Sequence, residues 1–202
     1  MKLYRLNFVE SIENTNSEMS CNKEKFLIAL ISTGGTIEKT YSELEGILNN
    51  EYRVLDIMLE LLQLEGIEID RIPLMNKDSL QITKDDLRLI LETIHYKNGE
   101  VDGIVVVHGT DRLSDTAEEL YLEIEEGIKT SGRWSEGLKV PIVFTGAMRP
   151  YILRNSDALQ NLTEALMAVQ LVEPGVYVAM HNKIWQFPGV IKDKRKMTFR
   201  KE

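Results

Sequence analysis

Residues 26–36 read FLIALISTGGT: a continuous apolar run of strand length at 26–31, followed by two glycines between threonines. A run that is apolar at every position predicts a strand buried on both faces of a sheet. Residues 32–36 must then form a turn, because glycine lets the chain bend sharply and lets other groups approach the main chain closely. The segment therefore predicts a buried strand that carries hydroxyl groups at its carboxyl end.

The same pattern continues along the chain, with amphipathic stretches between apolar runs. Further strands are predicted at 67–72 (stopping at Pro73), 103–107, 140–144 and 176–180, the last clear strand. Helices are predicted at 51–64, 83–96 (with Thr83 as a cap), 114–128 and 156–172. Apolar strands separated by helices are typical of a parallel sheet covered on both sides. We predict an α/β fold: an open, doubly wound, mainly parallel sheet with helices on both faces.

Length and composition favour one domain. The chain has 202 residues, 43% of them hydrophobic, which is enough to bury one substantial core. Residues 1–24 are polar and rich in Asn, Ser and Glu, so we expect a loosely ordered extension, with at most a short strand or helix at 3–9. The organised domain is predicted over 25–202.

Charge and cysteine content limit the partners and the compartment. The net charge of −8 disfavours nucleic acid as a partner, because an acidic surface repels phosphates. Cys21 is the single cysteine, which fits a reducing compartment. The N-terminal stretch lacks a signal-peptide core, and no apolar run reaches the roughly 20 residues of a membrane helix. We expect a cytoplasmic protein without membrane contact, and a solvated tail for the basic cluster at 192–201.

The candidate site lies where the predicted strands end, because open α/β sheets bind ligands beyond the carboxyl ends of their strands. Three of the five predicted strands end in Gly/Thr-rich segments: TGGT at 33–36, HGTD at 108–111 and TGA at 145–147. No phosphate-loop pattern is present. Taken singly, TGGT fits a plain turn, Asp111 fits a cap of the following helix, and His108 fits a core histidine.

A metal site is not expected. The three histidines have no metal-ligand spacing and fall in separate predicted elements: His95, His108 and His181.

Taken together, the motifs resemble the L-asparaginase family. TGGTI at 33–37, HGTD at 108–111, TGAMRP at 145–150 and SDALQNLTEAL at 156–166 occur in the order and approximate spacing of that family. The resemblance extends over about residues 26–195. It implies hydrolysis of a small amino-acid amide, with no cofactor.

The resemblance also implies roles for individual residues. The predicted catalytic residues are the nucleophile Thr36, the assisting Tyr41, and the pair Thr110 and Lys192. The predicted substrate-binding residues are Ser79 (for the α-carboxylate) with the neighbouring Asp78, and Asp111 (for the α-ammonium). Backbone amides of the glycine turns, at Gly35 and Gly109, are predicted to form the oxyanion hole.

These residue types suit the reaction. A threonine hydroxyl is a weak nucleophile and a carboxamide a poor electrophile, so the hydroxyl needs a base and the carbonyl needs polarising. Tyrosine is a poor base at neutral pH, and Lys192 beside Thr110 could supply a proton relay. Thr36 would form an acyl-enzyme, release ammonia, and be freed by water to give L-aspartate.

Three departures from the family pattern carry expectations. Typical members of the family have a second, C-terminal domain, from which a neighbouring subunit supplies an acidic residue to the site. The chain resembles the short, single-domain bacterial forms. We therefore expect a homo-oligomer, a dimer or tetramer, in which the site is completed differently. Arg112 follows HGTD in place of a threonine, which could alter substrate choice. Tyr41 follows Thr36 closely, which suggests a short lid and a Michaelis constant above the micromolar range.

Other functions stay open from the sequence. The chain could be a glutaminase or hydrolyse a related β-amide. It could be a non-catalytic small-molecule-binding protein, although a pure binder has no need of both threonines and the lysine. A third alternative is an amidotransferase subunit acting on a tRNA-linked substrate, which the acidic charge disfavours.

Overall fold

The computed structural model describes residues 25–44, 46–50 and 53–202. In chain order the elements are β1 (Phe26–Gly34), β2 (Lys39–Ser42), β3 (Ile47–Asn50), α1 (Arg53–Glu60), β4 (Ile67–Lys77), α2 (Lys84–Lys97), β5 (Gly103–Val107), α3 (Leu113–Thr130), β6 (Ile142–Thr145), α4 (Ala158–Ala168), β7 (Val176–Met180), β8 (Lys183–Gln186), β9 (Val190–Asp193) and β10 (Thr198–Lys201). Two 3-10 helices, Thr36–Glu38 and Ser79–Gln81, follow β1 and β4. The predicted extension at 1–24 lies outside the described residues.

The central sheet has the strand order β4-β1-β5-β6-β7-β8. Its first five strands are parallel, and β8 pairs antiparallel with β7. The chain runs from β1 outward to β4 and then returns to the other side of β1 at β5. Such a reversal opens a crevice beyond the strand ends, where doubly wound sheets bind ligands. The carboxyl ends of β1 and β5 therefore form the expected binding position.

Helices cover both faces of the sheet, which confirms the predicted fold class. Successive residues of each strand alternate between two buried clusters, as strand geometry requires: in β1, Ala29 and Ile31 face one cluster and Ile28 and Leu30 the other. The first cluster is closed by α2 and α3, and the second by α1 and α4. The sheet is thus the middle of three layers.

The predicted ends of two strands were wrong. β1 continues to Gly34, so the turn predicted at 32–36 begins only at Gly35. The strand predicted to stop at Pro73 also continues. β4 continues through Pro73 to Lys77, with Pro73 in register opposite Ser32. Proline lacks a backbone donor and is tolerated on an edge strand, and β4 is the edge strand of this sheet.

The C-terminal predictions were also wrong. Val176–Met180 is followed by three further strands, and the basic segment after it forms the β9–β10 hairpin rather than a tail, although its basic side chains other than Lys192 are exposed as predicted. Phe199 on β10 is 1% exposed and packs into the core, which ties the hairpin to the domain.

Helix positions were predicted correctly, but most ends were not. The capping box at the start of α2 confirms Thr83 as its cap, with Thr83 and Asp86 exchanging hydrogen bonds. By contrast, α1 ends at Glu60 and α4 spans Ala158–Ala168, both shorter than predicted, while α3 extends to Thr130 and β6 lies at Ile142–Thr145.

Candidate functional site

Glycines bring the strand-end turns into direct contact. A methyl group added at Gly35 would lie 2.5 Å from the Cα of Gly109, and one at Gly109 would lie 2.6 Å from the Oγ of Ser79. A methyl group at Gly146 would overlap the carbonyl oxygen of His108. The turns after β1, β5 and β6 therefore pack main chain against main chain at the predicted edge of the sheet, and Ser79 after β4 packs on Gly109.

Thr36 begins the 3-10 helix Thr36–Glu38 directly after Gly35. Gly35 has a φ of 92° and a ψ of −174°, a backbone conformation that residues other than glycine rarely adopt. Thr36 is half-buried, while Ile37 and Glu38 after it are 0% exposed. Ile37 packs into the cluster beneath α1. The turn is thus anchored on both sides of Thr36, which itself remains partly exposed.

Lys192 joins the two polar residues of the HGTD turn. Its Nζ donates to Thr110 Oγ1 at 2.7 Å and to Asp111 Oδ1 at 2.8 Å. The Lys192 side chain is 12% exposed and that of Asp111 47%. Because Thr110 accepts from Lys192, its own hydroxyl hydrogen is free to point at a ligand. The structure therefore brings together Thr110, Asp111 and Lys192; the resemblance implied the pairing of Lys192 with Thr110, but not the contact of Lys192 with Asp111.

Asp111 does not cap the following helix. α3 begins at Leu113 with Arg112 in the capping position and no side-chain cap. Arg112 itself lies 3.4 Å from the carbonyl oxygen of Ile82 and 3.5 Å from the carboxylate of Asp115. The Arg112 cation is therefore engaged by neighbours of its own, outside the Lys192 contacts.

Ser79 lies under Gly109 and is 2% exposed. The neighbouring Asp78 accepts from Lys39 Nζ at 2.9 Å and from the Leu80 amide at 3.1 Å. Lys39 holds the pKa of the Asp78 carboxyl below its usual value, and the Leu80 amide adds to this effect. Both carboxylate oxygens thus have donors within the protein, and contact of Asp78 with a substrate stays a prediction.

The structure does not bring Tyr41 into this cluster. Tyr41 lies on β2 opposite Leu48 of β3, and it is 56% exposed. Within the described residues, no hydrogen bond joins its hydroxyl to Thr36 or Thr110. The catalytic role of Tyr41 therefore stays a prediction that would require movement of the β2–β3 hairpin.

Sequence reasoning missed a buried charged pair beside Thr36. The carboxyl of Glu38 lies 3.5 Å from the guanidinium of Arg71, which also donates to Ser32 Oγ at 2.8 Å. Burial raises the pKa of Glu38 to about 7, while Arg71 acts to lower it. In the sequence Glu38 belongs to an ordinary polar stretch, and Arg71 sits on a strand 33 residues away, so no pattern linked them.

The histidines are structural in the described residues. His108 is buried, with its ring nitrogens 2.9 Å from the Gly109 carbonyl oxygen and 3.2 Å from Thr116 Oγ1. Burial lowers the pKa of His108 to about 4, so the ring is neutral at physiological pH. His95 packs edge-on against Trp134. The described part of the chain contains no group of three or more residues able to hold a metal.

The TGAMRP segment is held by Asp157 at the start of α4. Its carboxylate accepts from the backbone amides of Met148 and Arg149, both at 2.9 Å, and from Asn161 and His181 at 2.8 Å. Burial acts to raise the pKa of Asp157, but the bonds to its carboxylate outweigh that effect and lower it. The motif therefore supports the turn around Gly146 rather than supplying a reactive group.

A separate apolar groove of about 660 Å³ runs between α4 and β8, and none of the predicted site residues lines it. No helix in the described residues has both the length and the apolar character needed to cross a bilayer.

Comparison with known proteins gives a consistent picture. The family model described as "Asparaginase, N-terminal" matches residues 27–197. An L-asparaginase of Thermococcus kodakarensis is 32% identical over 163 residues, which are 78% of this chain and 44% of that protein. The solved structure of the thermostable L-asparaginase from the same organism superposes with a TM-score of 0.68 at 29% identity, covering 83% of this chain and 48% of that one.

A relative with another name is similar to nearly the same extent. A glutamyl-tRNA(Gln) amidotransferase subunit of Methanococcus vannielii is 29% identical over 164 residues, covering 78% of this chain and 34% of that protein. The chain thus spans less than half the length of the curated relatives it matches.

Proposed function

The chain belongs to the asparaginase family, and on that premise we propose that it hydrolyses the side-chain amide of L-asparagine to L-aspartate and ammonia, with Thr36 as the nucleophile. The observation that carries the proposal is the contact of Lys192 with Thr110 and Asp111, made across the crevice edge where Gly35 packs on Gly109. A lysine, a threonine and a carboxylate held together next to the turn that carries Thr36 suit acyl transfer better than binding alone.

In the first step, Thr36 Oγ1 attacks the carbon of the side-chain amide. A C–O bond forms, the C–N bond breaks, and the hydroxyl proton passes to the leaving nitrogen, which departs as ammonia. Thr110, whose hydroxyl accepts a hydrogen bond from Lys192, would relay that proton. Backbone amides at Gly35 and Gly109 would stabilise the oxyanion, an effect typically worth about 3 kcal/mol per donor.

In the second step, water attacks the ester carbon. The C–O bond to Thr36 breaks, the hydroxyl regains its proton, and L-aspartate leaves. The substrate's α-ammonium would pair with Asp111, whose 47% exposure leaves an oxygen available beside the Lys192 contact. The substrate's α-carboxylate would bind Ser79, next to Asp78, which is itself paired with Lys39.

Ammonia release from L-asparagine, L-glutamine and D-asparagine tests the proposal. We expect the purified protein to act on L-asparagine, with the activity lost in Thr36→Ala. Thr40→Ala on β2 is the matched control, because it removes a nearby threonine hydroxyl outside the TGGT turn. Release that survives in Thr36→Ala would assign the nucleophile elsewhere, and no release from any amide by the folded protein would overturn the proposal.

L-Glutamine is the alternative substrate, because one similar relative is named a glutamyl-tRNA(Gln) amidotransferase subunit. The panel separates the two, since a site built for the longer side chain would release ammonia faster from L-glutamine. We also propose that the protein is cytoplasmic and acts as a homo-oligomer, as the sequence led us to expect.

A further inference from the structure

Glu38 is a buried carboxyl that the proposed chemistry leaves without a task. Its side chain is 0% exposed, and it closes the 3-10 helix that Thr36 begins. One oxygen faces Arg71 at 3.5 Å, and the Gly34 amide acts to lower the pKa of the carboxyl. The other oxygen, Oε2, has no hydrogen-bond partner among the described residues. A carboxyl buried in this way is costly, because desolvation opposes its charged form.

Arg71 ties Glu38 to three elements. From β4 it donates to Ser32 Oγ at the end of β1 and to Asp56 Oδ1 on α1, at 2.8 and 3.2 Å. The charged groups that face Glu38 in the described residues are Arg71 from β4 and Asp56 from α1. The part of β1 that touches this cluster presents only the neutral Ser32 and the Gly34 amide. The Arg71 guanidinium thus links the 3-10 turn that Thr36 begins to the strands β1 and β4.

This arrangement fixes Thr36 from both ends. Before it, Gly35 lies against the backbone of Gly109. After it, the Glu38 amide donates to the Gly35 carbonyl at 3.2 Å, and the Glu38 side chain is held by Arg71. A turn this short transmits a shift of Glu38 directly to Thr36, and a displacement of about 1 Å at a reacting group can cost about 100-fold in rate.

We propose that Glu38 is a positioning residue for Thr36: its ionised carboxylate, paired with Arg71, holds the 3-10 turn in the geometry from which the Thr36 hydroxyl attacks. The proposal rests on the proposed function. Protonation removes the ion pair and lets the turn relax. The turnover number then falls, while substrate binding at Ser79 and Asp111 is unaffected. Activity therefore rises with pH as Glu38 ionises.

The first test needs no turnover. The ¹⁵N–¹H resonance of the Thr36 amide is followed between pH 5 and 9 in wild type, Glu38→Gln and Asp56→Asn. We expect a titration in wild type and in Asp56→Asn, which removes the exposed carboxylate on the same arginine, and its loss in Glu38→Gln. A Thr36 amide that does not titrate in wild type, or titrates unchanged in Glu38→Gln, would overturn the proposal.

A second variant protects the test if Glu38→Gln fails to fold. Arg71→Gln keeps the carboxyl and removes the cation that favours its ionisation, so the midpoint of the Thr36 titration should move to higher pH. A midpoint that stays in place would show that Arg71 does not govern Glu38.

The kinetic test separates positioning from general support of the fold. In Glu38→Gln we expect kcat to fall about tenfold or more with KM within about threefold of wild type, and the rise of kcat with pH to disappear. An unchanged kcat with its pH dependence intact would contradict the proposal. If wild type hydrolyses no amide, the proposed function fails, and the resonance titration still decides whether Glu38 controls the Thr36 turn.

Discussion

Side chains from two distant parts of the sequence meet at the crevice. Lys192 reaches Thr110 at 2.7 Å and Asp111 at 2.8 Å, although more than 80 residues separate them along the chain. The ammonium fixes the direction of the Thr110 hydroxyl and partly neutralises Asp111. Its removal should therefore impair proton transfer more than substrate binding.

We predict that Lys192→Met lowers kcat by about 100-fold or more, the usual contribution of a positioned proton-transfer group. Lys194→Met is the matched control, since Lys194 is an exposed lysine two residues further on. Steady-state kinetics on L-asparagine would check both variants. Equal activity in the two would remove Lys192 from the proposed chemistry.

Burial of Glu38 should also make the free energy of unfolding depend on pH. Its folded-state pKa of about 7 lies above the ordinary value of 4.5, so the folded protein holds a proton that the unfolded chain has released. The bound proton stabilises the folded state fully below pH 4.5. This contribution to the free energy of unfolding falls by about 3 kcal/mol in total as pH rises through 7. His108 works in the opposite sense: its pKa falls from 6.5 to about 4, so stability is lost as pH falls through that range.

Urea unfolding of wild type and Glu38→Gln between pH 4 and 8 separates the two effects, because His108 is common to both proteins. The difference in the free energy of unfolding should change across this window in favour of the variant as pH rises. A difference that is constant with pH would show that Glu38 is not buried as the structure has it.

At the level of elements, the glycine turns allow the strand ends to touch. Gly35 combines a φ of 92° with a close approach to Gly109, whereas Gly66 has a φ of 80° with open space around it. A side chain at Gly66 would meet backbone strain alone, whereas one at Gly35 would meet both backbone strain and a steric overlap.

We predict that Gly66→Ala lowers the free energy of unfolding by about 1 kcal/mol and leaves activity intact. Gly35→Ala should cost roughly 3 kcal/mol, because the added methyl group also overlaps the Gly109 main chain, and it should abolish activity. Chemical denaturation and ammonia release measure both properties. Similar losses in the two variants would mean that the turns after β1 and β5 are not packed as described.

Elements with a strong pattern were predictable, and those defined by pairing were not. The buried runs of β1, β5 and β7 and the capped start of α2 carry periodic or capping signals of their own. The short strands β8, β9 and β10 mix charged and apolar residues, and they exist because they pair with β7 or with each other. Continuation of β4 beyond Pro73 depended on its place at the sheet edge, which local sequence does not encode.

The residues of the candidate site were likewise predictable only in part. The turns that carry Thr36 and Thr110 follow from the strand-end rule for α/β sheets, while the link from Lys192 to Thr110 was suggested only by the family resemblance. The pair of Glu38 and Arg71 was missed, because a charged residue in a polar stretch gives no sign that folding will bury it.

For the molecule as a whole, the site is open on one side. Asp111 is 47% exposed and Tyr41 is 56% exposed, so solvent reaches groups that the proposed reaction would need to shield. The family resemblance implies that a neighbouring subunit supplies an acidic residue to the site from the second domain. We expect a homo-oligomer in which the site is completed differently, by a residue that the resemblance does not identify.

The chain has a mass of 23.2 kDa, and we predict that light scattering gives the mass of a dimer or tetramer. Its specific activity should fall on dilution below the dissociation constant and return when the protein is concentrated again. A monomer whose specific activity does not depend on concentration would show that one chain suffices.

The most direct measurement is the chemical identification of the intermediate. The protein is mixed with L-asparagine, quenched with acid at successive times, digested, and analysed by mass spectrometry for the peptide that contains Thr36. We predict an aspartyl ester on Thr36 that accumulates before hydrolysis and is absent in Thr36→Ala. Turnover of L-asparagine with the ester on another residue would contradict the assignment of Thr36 as the nucleophile.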